Sequence, residues 1–533
     1  MKNTGRSFFE TIYGICIIAG LILSGLWFIS VLLFSAYSTD MTSQKVLYGT
    51  DPLYITIPLT LVFGAVLLIP TKFASTQKSL NIIRISVIAW VLLFGAVLIV
   101  FSKTVPAADA LSNYSIAESF ASGDYSALNG SESYLGYYPH QLGLITYFRL
   151  FISVWNLLGI SLPAYHGLKV LNVIFVCIII LFQEKTIGLY FDEKENTRIS
   201  ACSRYLLLAG FFAPLLFYSS FVYGEIPSLA AASAGLYFLL KLLRKKSTIS
   251  AVLFILFTAL SVMLRMNNLI LLIGILICFG IDCIRNIASE KKQFRKDMLI
   301  TWILCALICF SVTPLTERIY EGATGYRLGN GVSSLSYVAM GMQDGPRAAG
   351  WYNGFNYVTH MIAGDDAELD RKLCNDAISG SLGYFREHPR YAVRFYIHKY
   401  LSCHADGSYA CRQATLATFG GRRELFDRIY AGDLSSLFIG YCNVYQNLIA
   451  LGTLLFFILL KKKNGGSFFD LSILIGPVTY FGGFLFHMIW EANSRYIFMY
   501  IVLLLPYAAA GLSGTFGNLL SKKAARREDN ASE

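Results

Sequence analysis

Apolar runs long enough to cross roughly 30 Å of hydrocarbon recur along nearly the whole of this 533-residue chain. That repetition excludes a water-soluble core, because 55% of the residues are hydrophobic and only 14% charged. The expected fold class is an all-α polytopic membrane protein. The first run, about Phe8 to Phe34, is too long for a signal-peptide core and shows no clear cleavage site, so it reads as a retained anchor.

The formal net charge of +11 would suit a nucleic-acid binder, but its distribution says otherwise. Of 44 Lys and Arg, 25 fall in seven short segments that can all lie on one side of a membrane. These include Lys2/Arg6, Lys72/Lys78/Arg84, Lys241 to Lys246, Lys461 to Lys463 and the tail cluster Lys522 to Arg527. Another 13 lie in the stretch 316–432, where acids are about as numerous. This is the positive-inside pattern, so the basic balance reports orientation and implies no nucleic-acid partner. Most of the 11 cysteines sit in apolar runs, where Cys is a small packing residue. Cys403 and Cys411 have the spacing for a disulfide in an outer segment. Cys403, His404 and Asp406 lack the further ligands of a metal site.

Placing each basic cluster inside threads the chain. Spans are expected at about 8–36, 53–70 and 84–101, the third delivering the chain to the outer face before Asp109. Two apolar runs follow, 141–160 and 166–183, and if both crossed, every later basic cluster would lie outside. The run 141–160 carries Arg149 and opens on His140-Gln141, so it is expected to lie along the outer interface as a juxtamembrane helix. Hairpins 205–242 and 248–283 turn outside at Tyr223-Gly224-Glu225-Ile226-Pro227 and at Arg265-Met266-Asn267-Asn268. A span at 298–315 leads to a polar outer segment, 316–432, and spans near 434–460, 468–488 and 496–513 close the chain. The expectation is about 12 transmembrane helices plus the interface helix, with both termini cytoplasmic.

Ionisable residues at the span ends then sort by side. Lys241, Asp282 and Asp470 fall at inner ends, whereas Asp109, Glu225, Arg265, His487, Glu491 and Arg495 arrive at outer ends. The middles of the spans are almost free of charge, which argues against a transporter or flippase for a lipid-linked glycan, the main alternative. A non-catalytic membrane scaffold is a third class and would tolerate loss of Asp109. Charges gathered at one interface suit chemistry on a lipid-linked substrate whose head group lies at the surface. Above them lies the long polar stretch Lys103 to Gln141, which ends in the cluster Tyr134-Tyr137-Tyr138-Pro139-His140.

Asp109 after an early span, a loop ending in YYPHQLG, an interface helix and a carboxylate at a short outer turn together resemble the GT-C class of membrane glycosyltransferases. The resemblance is to its protein-mannosyltransferase-like and aminoarabinose-transferase-like branches. Trp490 to Tyr496 (WEANSRY) resembles the R-Y motif that closes those families. The stretch SLSYVAMGMQDGPRAAGWYNGF resembles a segment of Gram-positive bacterial members. Two departures stand out. Two extra spans precede the catalytic loop, and the acidic pair often written Asp-Glu is here Asp109-Ala110, so a second carboxylate must come from elsewhere.

The resemblance implies a division into extra N-terminal spans (1–83), a catalytic core (84–315), an extracytoplasmic segment (316–432) and C-terminal spans with a tail (433–533). The core contains the first outer loop (102–140) and the interface helix (141–160). It also implies transfer of a sugar, with inversion, from a polyprenyl-phosphate donor in a bacterial plasma membrane. The acceptor is a cell-envelope glycan, lipid or protein on the outer face. Asp109 is the expected base, or else a helix-capping aspartate. Glu225 is expected to orient the acceptor or to hold a divalent metal (Mg or Mn) with Asp109, or else to be a helix-start carboxylate. Arg265 and Arg495 are candidates for the phosphate, or for snorkelling to head groups. His140 is a candidate for phosphate or metal, and Tyr137 and Tyr138 for stacking on the sugar. Glu491 is expected to hold a neighbouring arginine in place.

Overall fold

The computed structural model describes residues 2–38, 44–130, 133–190, 195–245, 247–288, 296–364, 366–415, 424–463 and 471–513. Asp470, the basic residues Lys194, Lys246, Lys291, Lys292 and Arg295, and the tail cluster from Lys522 to Arg527 lie outside them. Among the described residues ten helices are long and apolar enough to cross a membrane. A bent pair, Glu195–Gly210 with Ala213–Ser220, and the shorter apolar helix Thr248–Leu264 stand where the two expected hairpins place further crossings. The protein is therefore a polytopic helical membrane protein.

Local chemistry sets many of the boundaries. Thr76 caps Gln77–Ser102, its hydroxyl accepting from the Ser79 N–H at 3.2 Å, with Ser79 reciprocating. The bent pair turns by 58° just before Pro214, which has no N–H to continue the ladder. Pro227 sits in the first turn of Glu225–Lys245, where a missing N–H costs nothing. The helix Lys296–Thr324 runs past residue 315, where the polar outer segment was expected to begin. The first run ends at Leu33, and Phe34–Tyr37 pairs antiparallel with Leu47–Thr50, which hydropathy alone did not foretell. That ribbon is tied to the outer segment by the Ala36 N–H, which donates to the Ala405 carbonyl at 2.8 Å.

Burial ranks the helices. The last one, Ser494–Ser513, is the hub, with 89% of its apolar window buried, whereas Lys296–Thr324 buries 17% and sits at the periphery. The hub packs against Leu434–Lys463, Glu195–Gly210 and Ile475–Ile489. Exposed Leu, Ile and Val on the outer helices are the lipid-facing surface of such a bundle, not a defect of packing. Leu142–Leu157, the expected interface helix, is 16 residues long and falls short of a span. The hub begins at Ser494, so Arg495 stands in its first turn.

Candidate active site

Asp109 is the first residue of the helix Asp109–Ala121, and the capping position belongs to Ala108. Ala108 has φ 48° and ψ −131°, a backbone conformation that an L side chain adopts at a cost. The Asp109 side chain is exposed, and its carboxylate makes no hydrogen bond within the described residues. Its charge is felt by the phenols of Tyr134, Tyr138, Tyr223 and Tyr352, all held above the ordinary tyrosine range by burial first and by Asp109 in addition.

Glu225 opens its helix and is buried. One oxygen, Oε1, accepts from Arg265 Nη1 and lies 3.7 Å from Arg495 Nε. The other, Oε2, is buried without a hydrogen-bond partner, as is Arg495 Nε. Gly224 makes the approach feasible, because a Cβ there would meet the Leu264 carbonyl at 2.6 Å. Arg265 leaves the end of Thr248–Leu264 in an extended conformation, which turns its side chain towards Glu225. The Arg495 guanidinium lies over the rings of Phe221, Tyr223 and Tyr496 at 5.9, 5.6 and 5.6 Å.

Glu491 sits in the turn between the last two helices. Its Oε1 accepts from the Tyr496 hydroxyl at 3.2 Å, and its backbone carbonyl accepts from His487 Nδ1 at 2.9 Å. It acts on Arg495 through space and makes no hydrogen bond with it, which differs from the expectation that it grips an arginine. Burial pushes its carboxyl up to about 7, opposed by Tyr496 and Arg495 and aided by the charge of Asp109.

The other expected residues are placed unevenly. Tyr138 faces the carboxylates, feeling both Asp109 and Glu491. Tyr137 is buried, stacked on Tyr357 at 4.9 Å and edge-on to His360 at 4.8 Å, so it packs the loop and offers no face to a ligand. His140 is tied to Gln141 at 3.3 Å and to the Tyr138 ring, and burial lowers it to about 4. It is neutral at physiological pH, which weakens it as a phosphate cation. Glu225 joins Arg265 and Arg495 from segments far apart in sequence, and Asp109 and Glu491 act through space on the Tyr496 phenol beside them.

Sequence reasoning missed Tyr223, Tyr352 and Lys399. Tyr223 stands beside the singled-out Glu225, which was signal enough. Lys399 gave none, being one cation on an amphipathic helix. It is buried, and its ammonium donates to the carbonyls of Gly341, of Met488 at 3.1 Å and of Trp490 at 2.9 Å. Burial lowers it to about 8. It closes the end of Ile475–Ile489, and the Ala492 N–H donates to Gly350 at 2.8 Å, so the outer segment seats the Glu491 turn.

The metal reading fits poorly. Among the described residues no group of three or more His, Cys, Asp or Glu could hold a metal ion. A divalent ion between Asp109 and Glu225 would also sit beside two guanidinium groups that already neutralise Glu225. Asp406 spends its oxygens on the N–H groups of Ser408 and Ala410 and the hydroxyls of Ser408 and Ser494. Cys403 and Cys411 are buried free thiols, unbridged. No family model matches this chain, and no curated protein matches it.

Proposed function

We propose that this protein is a glycosyltransferase of GT-C-like organisation. On this reading it moves a sugar from a polyprenyl-phosphate donor to an acceptor hydroxyl at the outer face of a bacterial plasma membrane. The observation that carries it is that an exposed carboxylate free of hydrogen bonds, Asp109, and the guanidinium groups of Arg265 and Arg495 all act on the same two phenols, Tyr223 and Tyr496. The nature of the donor rests on the family resemblance.

Asp109 takes the proton of the acceptor hydroxyl as its oxygen bonds to the anomeric carbon. The bond from that carbon to the phosphate oxygen breaks on the opposite face, and the configuration inverts. Arg495 receives the charge growing on the departing polyprenyl phosphate, since its Nε makes no hydrogen bond and its planar fork suits phosphate oxygens. Glu225 keeps Arg265 and Arg495 in place and offsets their mutual repulsion. Tyr138 and Tyr352 supply flat, hydroxylated walls for a sugar.

The test uses purified protein in detergent with polyprenyl-phosphate hexoses and an extract of cell-envelope acceptors, scored by release of polyprenyl phosphate and formation of a new glycosidic bond. Transfer is expected without a sealed membrane, and Arg495→Lys should weaken donor use although it keeps the charge. Movement of lipid-linked glycan across sealed vesicles with no new bond formed would make the protein a flippase instead.

A further inference from the structure

The membrane-spanning helix Ala164–Tyr190 carries two polar side chains three residues apart, Lys169 and Asn172, both buried. That spacing puts them on one face. Lys169 Nζ donates to the carbonyl of Thr104, and Asn172 Nδ2 donates to the carbonyl of Phe221 at 2.9 Å. Thr104 belongs to the loop that leads into Asp109, and Phe221 to the turn that leads into Glu225. The two segments also touch each other, the Thr104 hydroxyl donating to the Ser220 carbonyl at 3.5 Å.

Lys169 is an expensive way to make one such bond. It is wholly buried, and among the described residues no carboxylate pairs with it. The Tyr165 ring lies 5.2 Å from it, and the His166 imidazole is near enough to feel its charge. An ammonium within a membrane helix, with no carboxylate to pair with, costs far more than an apolar side chain of equal length. The loop it holds is strained at both ends, with Lys103 and Ala108 each at φ 48°. Backbone of this kind persists only where surrounding contacts over-determine it.

We propose that Lys169 and Asn172 are positioning residues that clamp the Thr104 and Phe221 segments to one helix face, and so set the spacing of Asp109 from Glu225. Neither touches substrate. The kinetic consequence rests on the glycosyl-transfer reading, whereas the structural consequence does not.

Amide hydrogen exchange on the full chain in nanodiscs separates the two. Asn172→Ala, a mild change, and Lys169→Met are each expected to speed exchange about tenfold in both 103–110 and 218–226, leaving the hub helix unchanged. A true clamp couples its two jaws, so each variant loosens the segment it does not bond. In the transfer assay both variants should lower kcat about 10²-fold, the scale of a 1 Å misplacement, with donor KM unchanged. Should Lys169→Met fail to fold, Asn172→Ala carries the test alone. Loosening confined to 218–226 in Asn172→Ala, or no loosening, would overturn the clamp. Coupled loosening in a protein that shows no transfer at all would leave the clamp standing and sink the glycosyltransferase reading.

Discussion

Two sets of buried charge sit at opposite ends of the same helices, and they are wired differently. At the start of Gln77–Ser102, Arg84 grips Glu184 with two bonds of 2.7 Å and reaches Asn81 at 2.6 Å. Nearby in type, Asp282 accepts from the Leu471 N–H at 2.9 Å and from the Ser472 N–H and hydroxyl at 2.9 and 2.7 Å. Every carboxylate oxygen there is engaged. Past the other end of Gln77–Ser102, the Asp109 carboxylate accepts no hydrogen bond within the described residues, and Glu225 Oε2, Arg495 Nε and His487 Nε2 are buried without hydrogen-bond partners. The carboxylates of the Arg84 and Asp282 clusters close on themselves, although Thr186 Oγ1 and Arg204 Nη1 on neighbouring helices are buried without hydrogen-bond partners. Those at the Asp109 end are aimed at one another's neighbourhood and left unsaturated, which is how groups reserved for a substrate are arranged.

The contrast can be broken most directly by exchanging the two kinds of carboxylate for amides. Asp109→Asn should lower transfer by about 10²–10⁴, the scale of a lost general base, and leave thermal stability unchanged. Glu184→Gln should do the reverse. Transfer per folded molecule stays near normal, while stability falls by about 1–3 kcal/mol, moderated because Arg84 keeps partial access to water. Melting of the two variants in detergent, measured beside their turnover, decides it. An Asp109→Asn protein that melts earlier than Glu184→Gln would make Asp109 a structural residue.

The acid dependence of Glu491 sharpens the same contrast at smaller scale. Its carboxyl sits at about 7 in the fold against 4.5 ordinarily, so the native state holds the proton more tightly than the unfolded chain. Stability from this group is therefore full below about 4.5 and is lost as pH rises through about 7. The Tm of the native sequence should fall between pH 5 and 8 by more than that of Glu491→Gln, which cannot ionise. Equal slopes would place the raised acid elsewhere.

Ala108→Gly makes the smallest change. Glycine adopts the Ala108 backbone without a Cβ clash, so stability should rise by about 1 kcal/mol, read as a higher Tm. If the strain belongs to the site, transfer will not improve with it. A Tm that stays put would mean the segment holds no strain.

The sequence by itself determined the class of molecule and the places of most turns. Apolar runs select lipid over water, Thr76 and Pro214 mark local starts and breaks, and charge avoids mid-span because desolvation is costly there. It also named Asp109, Glu225, Arg265, Glu491 and Arg495, because isolated ions at span ends are conspicuous against hydrocarbon. Only tertiary structure decided how they meet. It put Glu491 within the field of Asp109, joined Glu225 to Arg265 and Arg495, turned Tyr137 inward, and buried Lys399 and Lys169 under loops far away in sequence. The reason is physical. Hydropathy and capping act over a few residues and say whether a segment leaves water, but in lipid most apolar helix faces are chemically alike. Which side chain faces which is set by packing between helices, and a single chain of letters carries no record of that.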